Sequence, residues 1–343
     1  MENGTASINA PPWGRMGPLQ LFAPQTSADY GARLAAGLGI SLTPLEEREF
    51  EDGEHKIRPL ESVRGADVYV VQQLHSEPGA SVHDKLCRAL FLLGALRDAG
   101  AARLTAVLPY LAYARKDQRS QPRDPVTHRY VAQLLEAVGM NGVLTLDVHN
   151  RAAFQNAFRC PSVHLEARSL FVAHFARAAP AEWVVVAPDG GAIKRAERFA
   201  QALGRAQGRE VGLAFMHKWR GGGRMGGGEI VGDVAGRHAL IFDDLISTGG
   251  TLALCARGLR AAGAVAVQAA ATHGVFAQAA NTALAGPDLD RIVICDTVPP
   301  LRLTDPAVQA KLTILDTAPF VAEAIARLHR DDSLMDLTES AAT

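Results

Sequence analysis

Residues 237–263 constrain this chain more than any other stretch: Arg-His-Ala-Leu-Ile-Phe-Asp-Asp-Leu-Ile-Ser-Thr-Gly-Gly-Thr-Leu-Ala-Leu-Cys-Ala-Arg-Gly-Leu-Arg-Ala-Ala-Gly. The run Ala239–Phe242 is short and wholly apolar, the pattern of a parallel strand buried on both faces. Asp243 and Asp244 stand where that strand should end, and Ser247, Thr248, Gly249, Gly250 and Thr251 lead into a helical stretch that stops at Gly263. Glycines let backbone N–H groups turn toward a ligand, and the helix N-terminus behind them favours a phosphate. A plain phosphate cradle has no use for two acids at its entrance, because they repel the ligand. The pair makes sense if the ligand carries hydroxyls or a metal ion beside its phosphate, as a sugar phosphate does. The plainer alternative is a strand followed by a capped helix.

This segment resembles the phosphoribosyl pyrophosphate (PRPP) motif of type I phosphoribosyltransferases and PRPP synthetases. The resemblance implies that Ser247, Thr248, Gly249, Gly250 and Thr251 hold a 5′-phosphate and that Asp243 and Asp244 face the ribose 2′- and 3′-hydroxyls. Ser247 stands where synthetases often carry Asp, which removes a charge but keeps a hydrogen-bonding group. The motif is common to enzymes that make PRPP and enzymes that consume it.

With 343 residues the chain is long enough for two domains with separate cores. Apolar residues make up 48% and charged residues 21%, as in a water-soluble globular protein. A net charge of −1 supplies no electrostatic reason to expect nucleic acid. No apolar run approaches the roughly 20 residues of a membrane span, and residues 1–17 lack a secretory pattern. Cys87, Cys160, Cys255 and Cys295 form no CxxC pair and suit a reducing compartment, so the cytoplasm is expected.

Short apolar runs alternate with helical patterns, which predicts an α/β fold with mainly parallel sheets flanked by helices. Strands are expected at 18–23, 67–73, 103–109, 142–147, 183–187, 211–215, 238–242, 264–271 and 291–295. Helices are expected at 27–38, 81–98, 127–138, 166–178, 192–205, 251–262, 276–284 and 318–329. Two stretches are alike: Ala95-Leu-Arg-Asp-Ala-Gly-Ala101 and Gly258-Leu-Arg-Ala-Ala-Gly-Ala264 each close a helix before a strand. Either they are coincident helix endings or the chain holds two copies of one unit. The loop after Val71 lacks Thr-Gly-Gly-Thr, so only the second copy should hold a sugar phosphate.

PRPP synthetases are likewise built of two related halves, and four further motifs match them in order. Phe50-Glu-Asp-Gly-Glu54 lies between runs 46–50 and 55–60, where Asp-Gly is a hairpin turn. The resemblance adds an adenine-binding role for Phe50, Asp52, Gly53 and Glu54. Tyr113-Ala-Arg-Lys-Asp-Gln118 follows a strand, at the sheet edge where ligands bind in open α/β folds. There Arg115, Lys116 and Asp117 correspond to ATP-binding residues, although Lys116 and Gln118 replace the commoner Gln and Arg. Asp147-Val-His149 matches the family's Asp-x-His, which implies that His149 and Asp189 hold the Mg²⁺ of Mg·ATP, a plausible set because Mg²⁺ keeps several waters. Arg159 and Val163 stand where many members carry Asp, which leaves an extra cation or effector site without those acids.

Lys218-Trp-Arg220 enters the glycine-rich run 221–228, read as a mobile loop; the resemblance makes Lys218 and Arg220 the start of a catalytic loop, with Arg220 also reaching the sugar phosphate. Gly221–Gly226 fits GxGxxG but does not open a helix, so the dinucleotide reading fails, and no GxxxxGK[ST] of a Walker-type kinase occurs.

The chain thus resembles the ribose-phosphate pyrophosphokinase (PRPP synthetase) family over roughly residues 18–335. The resemblance implies two tandem type I phosphoribosyltransferase-like domains, 18–163 and 164–317, between an N-terminal extension 1–17 and a C-terminal helix and tail 318–343. It also implies transfer of the β,γ-diphosphoryl group of Mg·ATP to ribose 5-phosphate, and assembly as a homo-oligomer, in this family often a hexamer. Neither nucleic acid nor membrane is expected as a partner. The alternatives are a non-catalytic regulatory relative, a PRPP-consuming phosphoribosyltransferase and a sugar-phosphate sensor. Lys218 and Arg220 argue against the first and last, and the length and the adenine hairpin against the second.

Overall fold

A computed structural model of the chain describes residues 17–177, 182–221, 224–335 and 337. The first half runs β1 (Leu19–Phe22), α1 (Ala28–Leu38), a hairpin of β2 (Leu45–Glu49) and β3 (His55–Pro59), β4 (Asp67–Val71), α2 (Val82–Asp98) and β5 (Arg103–Leu108). It continues through α3 (Thr127–Ala137), β6 (Gly142–Leu146), α4 (Arg151–Ala157) and β7 (Ser162–Leu165). The second half opens with α5 (Arg168–Arg177), β8 (Trp183–Ala187), α6 (Ile193–Gln207), β9 (Gly212–Gly221), β10 (Arg224–Val231) and β11 (His238–Ile246). It closes with α7 (Gly250–Ala261), β12 (Ala266–Gly274), α8 (Ala280–Ala283), β13 (Arg291–Cys295), α9 (Pro306–Gln309), β14 (Leu312–Leu315) and α10 (Ala318–Arg330).

Two sheets result. The first has five parallel strands in the order β1-β4-β5-β6-β7, and the second has seven in the order β10-β9-β8-β11-β12-β13-β14, parallel except for β9 with β10. The α/β architecture expected from the sequence is the one found. Strand alternation divides the core into layers. Val68 and Val70 of β4 pack with α2 and α3, while Tyr69 and Val71 face the other way. Likewise Val184 and Val186 of β8 face α7, while Val185 and Ala187 face α6. The side facing away from α2 and α7 is common to both sheets: Leu34 of α1, Phe171 of α5, Phe199 of α6 and Val321 of α10 form one continuous apolar layer. Burying all three layers is what the chain's valine-rich strands are suited to.

The repeated helix-ending sequence has a physical explanation. Gly100 and Gly263 both adopt the left-handed conformation (φ 91° and 89°). After each, the chain turns back so that Ala101 N–H donates to Leu96 O and Ala264 N–H to Leu259 O, at 3.2 and 3.0 Å. Each cap feeds the strand that pairs with the strand before the helix, β4 with β5 and β11 with β12.

Several elements depart from expectation. Strand β11 does not stop at Phe242; it continues through both aspartates because β12 pairs with it as far as Ile246↔Gly274. The stretch read as a mobile loop is largely strand, since β9 reaches Gly221 and 224–228 belong to β10, with Gly228 opposite Lys218. Residues 222 and 223 lie outside the described residues, as do residues 1–16 of the extension expected at 1–17. The helix expected at 276–284 shrinks to the single turn α8, and α4, β7 and β14 were not anticipated.

Candidate active site

The functional loops leave the C-terminal ends of β5, β6, β8 and β11, and two adjoining cavities lie between them. The smaller, about 160 Å³, is lined by Ser247, Thr248, Gly249 and Thr251 together with Arg115 and Leu252. The larger, about 660 Å³, opens between the two halves. His149, Asp189, Asp243 and Asp244 line both.

The loop expected to hold a phosphate leads directly into α7. Gly249 is the N-cap of α7 in the left-handed region (φ 76°), and no side chain caps the helix. A Cβ at Gly249 would lie 2.8 Å from Leu284 Cγ, so both the backbone angle and the space require glycine. The first-turn amides of a 12-residue helix therefore face the loop rather than a capping side chain.

The two acids sit beside this cradle and differ sharply. Asp244 is 3% exposed; its Oδ2 accepts from His149 Nδ1 at 2.9 Å and its Oδ1 from Arg195 Nη1 at 3.0 Å. Asp243 Oδ1 also accepts from Arg195 Nη1, at 3.2 Å, and from the Asp244 amide at 2.9 Å. Burial pushes Asp243 upward, and the charge of Asp244 adds to it. Burial would raise Asp244 too, but the hydrogen bond from His149 and the Arg195 charge hold it below the usual carboxylate range. The Asp244 hydrogen bond raises His149 against the opposing effect of burial. One residue from the first half thus meets the pair from the second, and a single arginine bridges both acids.

Asp147, at the end of β6, has a different part from its neighbour. With φ 34°, its Oδ2 accepts from Ala167 N–H (2.9 Å) and from Thr272 Oγ1 (2.6 Å), which fixes the loop carrying His149 against β12. The buried His273 reinforces this junction, its Nε2 lying 3.2 Å from the carbonyls of Leu146 and Asp147. Asp189 leaves β8 in an extended conformation and accepts from Gly191 N–H at 3.1 Å.

The remaining expected residues are spread more widely. Asp117 lines the larger cavity and accepts from Asn150 Nδ2 at 2.7 Å. Lys116 is turned to other work: its Nζ donates to Asp124 Oδ2 (2.6 Å) and Ser120 Oγ (3.0 Å), bracing its own loop. Gly250 begins α7 and lines neither of the two cavities. Phe50, Asp52, Gly53 and Glu54 form the β2–β3 turn, where Gly53 has φ 88° and Glu54 N–H donates to Asp52 Oδ1 at 3.1 Å. Phe50 is 39% exposed beneath the Arg48 guanidinium, and none of the four lines either cavity. Lys218 and Arg220 are on β9, and their side chains lie outside the described residues.

Sequence reasoning missed Arg195. It follows Asp189-Gly-Gly-Ala-Ile-Lys, one turn into α6, and only the pairing of β8 with β11 brings it to residues 48 and 49 positions away.

The donor set suits a hard cation held lightly. Among the described residues no three His, Cys, Asp or Glu side chains cluster to hold a metal by themselves. One imidazole and one carboxylate at the cleft, His149 and Asp189, are enough for an ion that takes its other ligands from phosphate oxygens and water. The Nδ1 bond to Asp244 orients the His149 ring and leaves Nε2 as the atom that could ligate an ion, the arrangement common around metal-bound histidines.

Paired acids beside an uncapped helix N-terminus in an α/β protein make a site that fits a ligand carrying both hydroxyls and a phosphate. The particular family follows from comparison with known proteins. A family model described as the N-terminal domain of ribose phosphate pyrophosphokinase matches residues 19–139, and one for the phosphoribosyl synthetase-associated domain matches residues 227–338. Ribose-phosphate pyrophosphokinase 1 of Streptococcus mutans is 34% identical over 328 residues, covering 94% of this chain and 97% of that protein. The ribose-phosphate pyrophosphokinase of Caldanaerobacter subterraneus subsp. tengcongensis is 36% identical over 321 residues, covering 93% and 97%. The crystal structure of phosphoribosylpyrophosphate synthetase from Mycobacterium smegmatis superposes with a TM-score of 0.83 at 34% identity, covering 92% of this chain and all of that one. The chain belongs to the ribose-phosphate pyrophosphokinase family.

Proposed function

We propose that the protein transfers the β,γ-diphosphoryl group of Mg·ATP to the anomeric hydroxyl of ribose 5-phosphate, giving PRPP and AMP. The observation that carries this reading is the joining of His149 to Asp244 across the two halves, directly beside the Ser247–Thr251 loop. The sugar 5′-phosphate sits on the amides of Ser247–Thr251, and Asp243 and Asp244 accept from the ribose hydroxyls. Arg195 keeps the acids in place while they do so.

Displacement at the β-phosphorus needs positioning and charge neutralisation more than a protein nucleophile. Arg115 lines the smaller cavity and supplies charge to the phosphates, as do Lys218 and Arg220 from β9. Mg²⁺, when bound at His149 and Asp189, offsets the charge developing between the transferred group and departing AMP. Asp117 keeps the Asn150 loop close to the donor, and Lys116 contributes by tying the loop that follows Arg115 to Asp124.

The hairpin residues Phe50, Asp52, Gly53 and Glu54 lie outside both cavities, so an adenine site there is completed by the cleft of a second copy. That reading makes the protein a homo-oligomer, as the resemblance to the family implies, in which hexamers are common. A division into two domains is supported by the two separate sheets, with the first extended from 163 to Leu165 because β7 belongs to its sheet and the second running from there to 317. None of the four cysteines, all among the described residues, is in a disulfide, which suits the cytoplasm. Among the described residues no helix is long and apolar enough to cross a membrane.

Incubation of the full chain with Mg²⁺, ATP and ribose 5-phosphate tests the reading: AMP and a sugar 1-diphosphate must appear in equal amounts. Formation of ADP instead would replace it with ordinary γ-phosphoryl transfer.

A further inference from the structure

Three consecutive residues that follow β6 are held by three different partners. The Asp147 carboxylate is tied to Ala167 and Thr272, and the His149 ring is tied to Asp244. The tie on Val148, between them, is of another kind: its amide donates to Nε2 of His164, on β7, at 3.1 Å. The ladder explains why that amide needs a side chain. Strands β6 and β7 pair as far as Leu146↔Leu165, and the Asp147 amide adds one more bond, to Leu165 O at 2.9 Å. Asp147 then enters the left-handed region (φ 34°), and past the end of the ladder the Val148 amide meets an imidazole instead of a backbone carbonyl. Val148 is buried, so an amide without an acceptor there would be costly. His164 stands opposite Thr145 in the β6–β7 register, and its ring lies 6.3 Å from that of the fully buried Phe154.

This bond sets the state of the imidazole. An amide can only donate, so Nε2 presents its lone pair, and in the neutral ring the hydrogen is then on Nδ1. That Nδ1 is buried, and nothing among the described residues pairs with it. A buried donor without an acceptor is unfavourable, and an apolar side chain could fill the space beside Phe154 without that cost. What the imidazole supplies is an acceptor for the Val148 amide, one residue before His149.

We propose that His164 is a positioning residue for the loop that presents His149 to the metal ion, an inference that rests on the reading of His149 as a ligand. With Val148 fixed, His149 enters the cleft at a set place, where its Nδ1 meets Asp244 at 2.9 Å and its Nε2 stays available to an ion. Without the acceptor, the Val148 amide has to turn toward another partner and carries His149 with it. Removing a group that orients a metal ligand commonly changes metal affinity or activity by about 10–100-fold. His164 acts through the backbone of the neighbouring residue, which puts its effect at the lower end of that range.

The test compares, in the full chain, His164→Leu, which keeps apolar bulk but no acceptor, with His164→Gln, whose Oε1 can take the place of Nε2. The first readout needs neither metal nor turnover. Nitrogen-15 NMR of ring-labelled histidine, with His149 assigned by its loss in His149→Gln, follows exchange of the Nδ1 hydrogen shared with Asp244. Exchange with water should quicken about tenfold in His164→Leu and stay within about threefold of native in His164→Gln. The second readout is Mn²⁺, titrated in place of Mg²⁺ at saturating ATP and followed by electron paramagnetic resonance. Its affinity should fall about tenfold in the Leu variant and recover in the Gln variant. Ribose 5-phosphate affinity, read by calorimetry, should change little in either, because Arg195 still holds Asp243 and Asp244. Native exchange and native Mn²⁺ affinity in His164→Leu, or a Gln variant as impaired as the Leu variant, would overturn the proposal. A loss of ribose 5-phosphate binding to match the loss of Mn²⁺ would make His164 a residue of the fold alone, and would overturn it too. If the unmodified protein makes no AMP while its His149 hydrogen responds in this way, the proposed reaction fails and the positioning role stands.

Discussion

Arg195→Met probes the site at its electrostatic centre. In the native protein one Nη1 lies 3.2 Å from Asp243 and 3.0 Å from Asp244. At an effective dielectric constant of about 20, each such contact is worth roughly 5 kcal/mol before desolvation is counted. Removing one partner of a buried ion pair commonly costs about 3–5 kcal/mol, because a charge is left without compensation. Here the cost falls toward the low end. Asp243 already binds its proton more tightly than an ordinary carboxylate, and with Arg195 gone it can neutralise itself by keeping that proton.

A loss of about 2–3 kcal/mol in unfolding free energy at pH 7 is therefore expected from urea denaturation. Ribose 5-phosphate affinity, read by calorimetry, should fall about 10–100-fold, since each tenfold corresponds to about 1.4 kcal/mol and a protonated Asp243 is a poorer acceptor for a sugar hydroxyl. Arg195→Lys should recover part of the stability, because one ammonium restores the charge but not the planar reach to two carboxylates. A Met variant with the native urea midpoint and native affinity would refute the role given to the bridge.

Four further outcomes are expected. Gly249→Ala should destabilise by at least about 1–2 kcal/mol from the left-handed backbone alone, with Leu284 displaced, and should weaken ribose 5-phosphate binding; an unaltered thermal midpoint would contradict the geometry. Asp67→Asn should cost about 3–5 kcal/mol in guanidinium unfolding, because this fully buried carboxylate holds Arg103 through both oxygens and His329 of α10 at 2.8 Å; a loss below about 1 kcal/mol would exclude that staple. His75 is pushed down to about 4 by burial and by Lys85, so the unfolded chain binds its proton first: stability is full above about pH 6.5 and is lost as the pH falls toward 4, by up to about 3 kcal/mol. Urea midpoints at pH 5 and 7 should differ less in His75→Gln than in the native chain. Lys218→Ala should lower kcat by about 10²–10³, and near-native turnover would remove it from the mechanism.

What could be read from the sequence was whatever repeats at short range. Buried parallel strands announce themselves as apolar runs, and Gly249-Gly250 before a helical period marks a phosphate loop, so both sheets and the cradle were visible in Ala239–Thr251 and its counterparts. Two edge strands were not: Ser162–Leu165 and Leu312–Leu315 have four residues each, half-buried and mixed in polarity. Strand β10 was hidden because glycine is a poor strand former, and its place comes from pairing with β9 rather than from propensity. The aspartate pair was legible, whereas its two partners were not both so. His149 sits in a motif; Arg195 reaches the acids only because β8 and β11 are neighbours. The tie from Val148 to His164 depends on the pairing of β6 with β7 and left no local trace.

The most direct test of the central claim is a phosphorus NMR time course of the purified chain with Mg²⁺, ATP and ribose 5-phosphate. The account predicts that AMP and a sugar 1-diphosphate rise together as ATP falls. Appearance of ADP, or no change in ATP while ribose 5-phosphate still binds, would contradict it.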